Sequence, residues 1–194
     1  MNINRKLIGL DYDDTIAMSS LSMMDYLNGE TGKNYTMKDV KGGRVDLDNM
    51  YGSIDWKSPE LMKHYINADF YPNFIEFINS SMDLGYEFVI VTARTDDNVE
   101  SARVKLEEAG ISIPIYNTNN KSKKEIIKEL GCRFFIDDYV EVLKNEIPDG
   151  CIGIAFGQEY NKKIERRLED WYDAKKFLEF LVYADRYMEN KNKK

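Results

Sequence analysis

The sequence predicts an α/β protein built on a doubly wound, mostly parallel sheet, with a small helical cap inserted after the first strand. Three observations carry that prediction. Short runs such as Leu7-Ile8-Gly9-Leu10 and Phe88-Val89-Ile90-Val91 are apolar throughout rather than alternating, as expected of strands buried on both faces. Segments of helical period separate these runs along most of the chain. Roughly seventy residues lie between the first two runs, where a plain crossover unit needs about thirty in all.

The first strand covers 7–10 and a helix follows over 17–27. The surplus before the second strand reads as an inserted lobe over 18–71, with 1–17 and 72–187 forming the core. Helices are expected at 58–67 and 73–84, each with a proline (Pro59, Pro72) in its first turn. The second strand covers 86–91. Val99, Ala102, Leu106 and Ala109 then recur at helical spacing and stop at Gly110, a natural C-terminal cap.

Residues 111–116 read as a strand. Residues 122–131 read as a helix with a capping box, Ser122 facing Glu125, and a glycine stop at Gly131. Two further apolar strands, 134–136 and 151–156, flank a short helix. Trp171, Ala174, Leu178 and Leu181 mark one face of a last amphipathic helix. The basic end, 188–194, reads as a disordered tail.

At 194 residues the chain is long enough for one main domain and a small accessory lobe. Its 43% hydrophobic and 31% charged residues are those of an ordinary globular protein. A net charge of −7 argues against an extended nucleic-acid surface, which relies on basic groups to displace phosphate counterions. No membrane span or signal peptide is visible, so a cytoplasmic location is expected. Cys132 and Cys151 lack the spacing of a metal knuckle and read as buried reduced thiols. The one histidine, His64, sits in a helical stretch as a surface residue, which leaves acid and base chemistry to carboxylates.

Those carboxylates fall where α/β folds put their chemistry, just past strand ends. Asp11-Tyr12-Asp13-Asp14-Thr15 follows the first strand, Thr92 ends the second, and Asp137-Asp138 follows Phe134-Phe135-Ile136. Lys121, Lys123 and Lys124 crowd the start of the helix between. Close carboxylates repel, and a shared proton or a bound cation is the usual remedy.

This constellation resembles the haloacid dehalogenase superfamily of phosphotransferases: a strand ending in DxDx(T/V), a strand ending in Thr or Ser, a Lys before a helix, and a strand ending in an acidic pair. The resemblance spans roughly residues 6–157. Tyr160-Asn161, followed by Asp170-Trp171 at the last helix, is similar to the tail of the 5'(3')-deoxyribonucleotidase group.

The resemblance implies a Mg²⁺-dependent phosphomonoester hydrolase with an aspartyl-phosphate intermediate, acting on a small phosphorylated metabolite, a nucleoside monophosphate above all. Asp11 is then the nucleophile and Asp13 the general acid and later base. Asp11, Asp137 and Asp138, with the main-chain carbonyl of Asp13, are the expected metal ligands. Thr92 and Lys121 are expected to bind phosphate, Lys121 standing ahead of Ser122 where the family's lysine sits; Lys123 and Lys124 stay open as alternatives. Thr15 reads as a turn-stabilising hydroxyl, and Asp14 as a substrate contact or a turn residue.

In the lobe, the aromatics Tyr35, Tyr51 and Trp56 with basic Lys41 and Arg44 are candidates to stack a base and hold a charged group, or else form the lobe's own core. Arg94, beside Thr92, is a further substrate candidate or a salt-bridge residue. Alternatives of other classes are a nucleic-acid end phosphatase, opposed by the acidic balance; a receiver-type phosphoacceptor, opposed by motif order; and a silent binding protein on the same fold. A monomer or a homodimer is expected.

Overall fold

The computed structural model describes residues 6–41 and 43–192, with side chains up to residue 183. Its strands are β1 (Leu7–Leu10), β2 (Glu87–Thr92), β3 (Ile115–Asn117), β4 (Phe134–Asp137), β5 (Ile152–Phe156) and β6 (Arg167–Leu168). All pair in parallel, in the spatial order β3-β2-β1-β4-β5-β6. The chain therefore winds outward from β1 in both directions, and the point of reversal lies beside it.

The helices are α1 (Ser19–Thr31), α2 (Leu47–Tyr51), α3 (Pro59–Ile66), α4 (Phe74–Asp83), α5 (Asp96–Glu108), α6 (Lys124–Leu130), α7 (Val140–Asn145) and α8 (Trp171–Asn192). Side chains alternate across the sheet. Ile8, Leu10, Phe88, Ile90, Phe134 and Ile136 face one layer, with Phe74 and Phe77 of α4, Leu106 of α5 and Trp171 of α8. Leu7, Val89, Val91 and Phe135 face the other, with Ile127 of α6 and Val142 of α7. Trp171 is fully buried and stacks on Phe77 at 4.7 Å.

Segment 18–71 leaves the core after β1 and returns before α4. Its two ends are stitched together, Met18 N donating to Asp69 O and Tyr71 N to Ile16 O, both at 2.8 Å, around an antiparallel bridge between Ala17 and Phe70. Within it, Met23, Met24, Leu27, Leu47 and Leu61 form a separate apolar cluster. No helix among the described residues is long and apolar enough to cross a membrane.

Several expectations need correction. Pro59 is the first residue of α3, but Pro72 lies outside α4, whose cap Asn73 takes a left-handed φ of 67°. The strand expected at 111–116 forms only at Ile115–Asn117, because Pro114 has no N–H to donate; its carbonyl accepts from Ile90 N at 2.9 Å. Ile111 and Ile113 are buried without being strand. Ser122 and Glu125 form no capping box at α6. Glu146 instead accepts from Lys123 N at 2.6 Å and from Ser122 Oγ at 3.0 Å. The backbone of α8 continues to Asn192, into the expected tail 188–194, and residues 193 and 194 of that tail lie outside the described residues.

Candidate active site

The central strand determines where carboxylates gather. Asp11 N donates to Ile136 O at 2.9 Å, so the β1–β4 pairing runs one residue past β1 and sets Asp11 beside Asp137, the last residue of β4. The chain then turns tightly, with Ile16 N and Ala17 N both donating to Tyr12 O at 2.9 Å. Asp14 sits in this turn with φ at 57°, its carboxylate accepting from Ser20 N at 2.8 Å and from the Ser20 hydroxyl. Asp11, Asp137 and Asp138, all buried, offer oxygens within 4.8 Å of one another.

Among these carboxylates lies one buried ammonium. Lys123 Nζ donates to Asp11 Oδ1 at 2.6 Å and to Asp137 Oδ2 at 2.7 Å, while Tyr139 N donates to Asp137 Oδ1 at 2.8 Å. Burial drives the Asp11 carboxyl up to about 7, Lys123 pulls against that, and Asp137 and Asp13 add to the rise. Burial likewise pushes Asp14 up to about 7 and Asp138 well above the carboxylate range. Burial works to lower Lys123, but the charges of Asp11 and Asp137 more than reverse this, and the ammonium is retained.

Three buried carboxylates against one ammonium leave excess negative charge in a dry place, and a small divalent cation is the direct remedy. The donors are hard oxygens, as Mg²⁺ prefers. The residues present fit such an ion.

The lysine is the clearest correction to the sequence reading. Lys121 is exposed, whereas Lys123 is the residue that touches Asp11. Left-handed Asn119 and Asn120, with φ of 51° and 60°, turn the chain so that Lys121 stands at the cavity mouth and Lys123 points inward. Thr92 is fully buried at the end of β2, its hydroxyl oxygen accepting from Arg94 N at 3.2 Å, and Ala93 lines the cavity in its place.

Asp13 is held quite differently from its neighbours. Arg94 Nη2 donates to its Oδ1 at 2.7 Å and Nε to its Oδ2 at 3.0 Å, Ser19 Oγ donates to Oδ1 at 2.5 Å, and Tyr65 OH to Oδ2 at 3.0 Å. Of the two readings open for Arg94, substrate contact or salt bridge, the structure has the second: its buried guanidinium is spent on protein groups. Ser19 and Tyr65 carried no sequence signal at all.

Asp138 is anchored from behind. Thr15 Oγ1 donates to its Oδ1 at 3.0 Å and Tyr160 OH to its Oδ2 at 2.5 Å, while Asn161 Nδ2 donates to its carbonyl at 2.9 Å. The Tyr160-Asn161 pair singled out in the sequence therefore serves the acidic pair from the loop after β5. Asn161 Nδ2 also donates to Phe156 O at 2.7 Å, tying that loop to the end of β5.

Above the carboxylates opens a cavity of about 350 Å³, lined by Asp11, Asp13, Lys123, Arg44, Lys121 and Tyr139 among others. Arg44 lies over the Tyr139 ring at 5.4 Å. Tyr51 and Trp56 do not reach this cavity. Tyr51 donates to Asn28 Oδ1 at 2.8 Å inside the lobe, edge-on to Tyr35, and exposed Trp56 donates to Asp48 Oδ2 at 2.9 Å. His64, expected at the surface, is half-buried and stacks on Tyr26 at 4.8 Å.

No protein-family model matches the chain. A protein of Oceanobacillus iheyensis, provisionally named a nucleotidase, is 25% identical over 133 residues, covering 66% of this chain and 71% of its own. A haloacid dehalogenase-like protein of unknown function from Agrobacterium tumefaciens superposes with a TM-score of 0.64 at 12% identity, covering 92% of this chain and 100% of its own. A protein of Lactobacillus delbrueckii provisionally named a phosphoglycolate phosphatase gives a TM-score of 0.59 at 14% identity, with 89% and 98% covered. A haloacid dehalogenase-superfamily hydrolase of Ehrlichia chaffeensis gives 0.55 at 15% identity, with 92% and 98% covered. The chain has the haloacid dehalogenase fold.

Proposed function

We propose that this protein, on its haloacid dehalogenase fold, is a Mg²⁺-dependent phosphomonoesterase that works through an aspartyl phosphate, and that its substrates are nucleoside monophosphates. The observation that carries the reading is the contact of Lys123 with both Asp11 and Asp137, at the point where the strand order reverses. A carboxylate, a lysine and further acidic ligands in one buried spot are what phosphoryl transfer requires: a nucleophile, positive charge and a place for a cation.

In this reading Asp11 attacks phosphorus, the ester P–O bond breaks, and the leaving alkoxide takes a proton from Asp13. Water then attacks the aspartyl phosphate, giving its proton to Asp13, and Asp11 is released as a carboxylate. Lys123, rather than Lys121, steadies the nucleophile and the charge spread over the phosphoryl oxygens. The chain at Ala93, which lines the cavity where the buried Thr92 does not, contacts the phosphate from the end of β2. Asp11, Asp137, Asp138 and the Asp13 carbonyl would hold Mg²⁺, which supplies charge neutralisation between nucleophile and phosphate dianion.

The nucleotide assignment is supported by the name of the Oceanobacillus relative and by the placement of Tyr160 and Asn161 behind Asp138. Arg44 at the cavity mouth is the lobe residue placed to meet the non-reacting part of the substrate. A cytoplasmic location and action as a monomer or homodimer complete the proposal.

The test is phosphate release from a panel of ribo- and deoxyribonucleoside monophosphates and sugar phosphates, with Mg²⁺ or with chelator, beside Asp11→Asn. Mg²⁺-dependent turnover that vanishes in the variant supports the mechanism. A panel whose best substrates include no nucleotide removes the nucleotidase assignment and leaves the chemistry.

A further inference from the structure

We infer that Arg94 is a positioning residue for Asp13, held in place by Tyr65 of the inserted segment, and that this clamp orients the carboxylate that carries the acid and base step. The inference rests on the phosphomonoesterase reading above.

The guanidinium is committed on every side. Two of its nitrogens face the Asp13 carboxylate at 2.7 and 3.0 Å, the third donates to Ser101 Oγ at 2.9 Å, and its plane lies between the rings of Tyr12, at 4.4 Å, and Tyr65, at 4.3 Å. A planar fork gripped between two rings has almost no freedom, and it passes that rigidity to the carboxylate it grips. Tyr65 acts twice, through its ring on Arg94 and through its hydroxyl on Asp13 Oδ2 at 3.0 Å. Since Tyr65 lies on α3, the clamp closes only when the inserted segment is seated on the core.

The Arg94 side chain is 0% exposed and that of Asp13 is 25% exposed, and Asp13 lines the same cavity as Asp11. The arginine is hidden and the acid is presented. Because the Arg94 side chain is fully buried and does not line the cavity, it orients Asp13 instead of meeting the phosphate.

The two chemical steps separate this role from a structural one. Nitrophenolate leaves with its electron pair and needs no proton, so formation of the aspartyl phosphate from nitrophenyl phosphate bypasses Asp13. An alkyl ester requires a proton from Asp13 in that step, and the attack of water requires Asp13 as base for either substrate. Arg94→Lys, which keeps the charge but loses the fork, and Tyr65→Phe, which keeps the ring and loses the hydroxyl, are compared with wild type by rapid mixing.

With nitrophenyl phosphate the first equivalent of nitrophenolate is expected at the wild-type rate, followed by a slowed steady state. With the best alkyl ester of the panel, kcat is expected to fall about tenfold or more for Arg94→Lys and less for Tyr65→Phe, KM staying within about threefold. A burst slowed as much as alkyl-ester turnover, a change in KM alone, or no change in either variant overturns the inference. Absence of wild-type turnover, or turnover that survives Asp11→Asn, overturns the phosphatase reading instead.

Discussion

Lys123 Nζ lies 2.6 Å from Asp11 Oδ1, closing a link between the N-terminal cap of α6 and the residue after β1 across 112 positions of sequence. The same nitrogen reaches Asp137 on β4, so one cation joins the two strands that border the site. Lys123→Met is expected to remove phosphatase activity by about 10²-fold or more, because it takes away charge aimed at the developing phosphoryl oxygens. It should also cost several kcal/mol of stability, about 3–5 where a buried partner is left uncompensated. Lys121→Met, at the exposed mouth, should keep kcat within about threefold and act at most on KM. Steady-state kinetics and thermal melts of the two variants decide it; a Lys121 variant as dead as the Lys123 variant would reverse the assignment.

The choice among the three lysines shows where sequence reading stops. Strand ends were legible because a buried parallel strand must be apolar throughout and its polar successor must lie at the sheet edge. That logic put Asp11, Asp13, Thr92, Asp137 and Asp138 at or just past the ends of β1, β2 and β4, where they lie. Lys121 and Lys123 differ only in which way a two-residue turn faces, and the left-handed Asn119 and Asn120 that decide it obey no period. Tyr65 and Ser19 were illegible for another reason. Each meets Asp13 through tertiary placement, and an ordinary helix residue carries no mark of that. Two-residue β6 is too short for any pattern to register.

Binding of Mg²⁺ should depend on pH with a defined sign. Asp11 and Asp14 rise from 3.8 to about 7 through burial, so each holds its proton more tightly in the fold than in the unfolded chain. Their contribution to stability is complete below the unfolded value near 4 and is lost as the pH climbs through about 7. In chelator, the melting temperature should therefore fall between about pH 5.5 and pH 8. A cation among Asp11, Asp137 and Asp138 favours the ionised forms, so the rise in melting temperature on adding Mg²⁺ should grow over the same interval. A Mg²⁺ increment that is flat or shrinking with pH would contradict the carboxylate cluster as the metal site.

Tyr51 and Trp56 should prove to be lobe residues with no hold on substrate. Tyr51 OH links to Asn28 and to Met24 O inside the segment, and Trp56 links to Asp48. Tyr51→Phe removes the single proton that this half-buried hydroxyl shares between Asn28 Oδ1 and Met24 O, and should cost about 1 kcal/mol in denaturant melts. KM of either Tyr51→Phe or Trp56→Ala should stay within about twofold of wild type, whereas Arg44→Ala, at the cavity mouth, should raise it. A Trp56 variant with a substrate-specific rise in KM would bring that ring back as a base-stacking group.

Gly157 connects the far edge of the sheet to the acidic pair. A Cβ there would lie 2.6 Å from Glu169 O and 2.9 Å from both Glu169 Cα and Leu168 O, all main-chain atoms with no rotamer to yield. The strand edge must move, although Gly157 N already donates to Leu168 O at 2.7 Å and fixes β6 beside β5. Gly157→Ala is accordingly expected to cost about 1–3 kcal/mol, as overpacking does elsewhere. The loss should reach function as well. Gln158, Tyr160 and Asn161 follow directly, and the last two grip Asp138 through its carboxylate and its carbonyl. Titration of Mg²⁺ followed by thermal shift should show weaker binding in Gly157→Ala than in Gly153→Ala, whose clash is with side-chain atoms, Ile147 Cγ1 at 2.8 Å first, near the opposite end of β5 from that loop's start. Equal Mg²⁺ affinity in the two variants would mean that the loop after β5 holds Asp138 without help from the β5–β6 pairing.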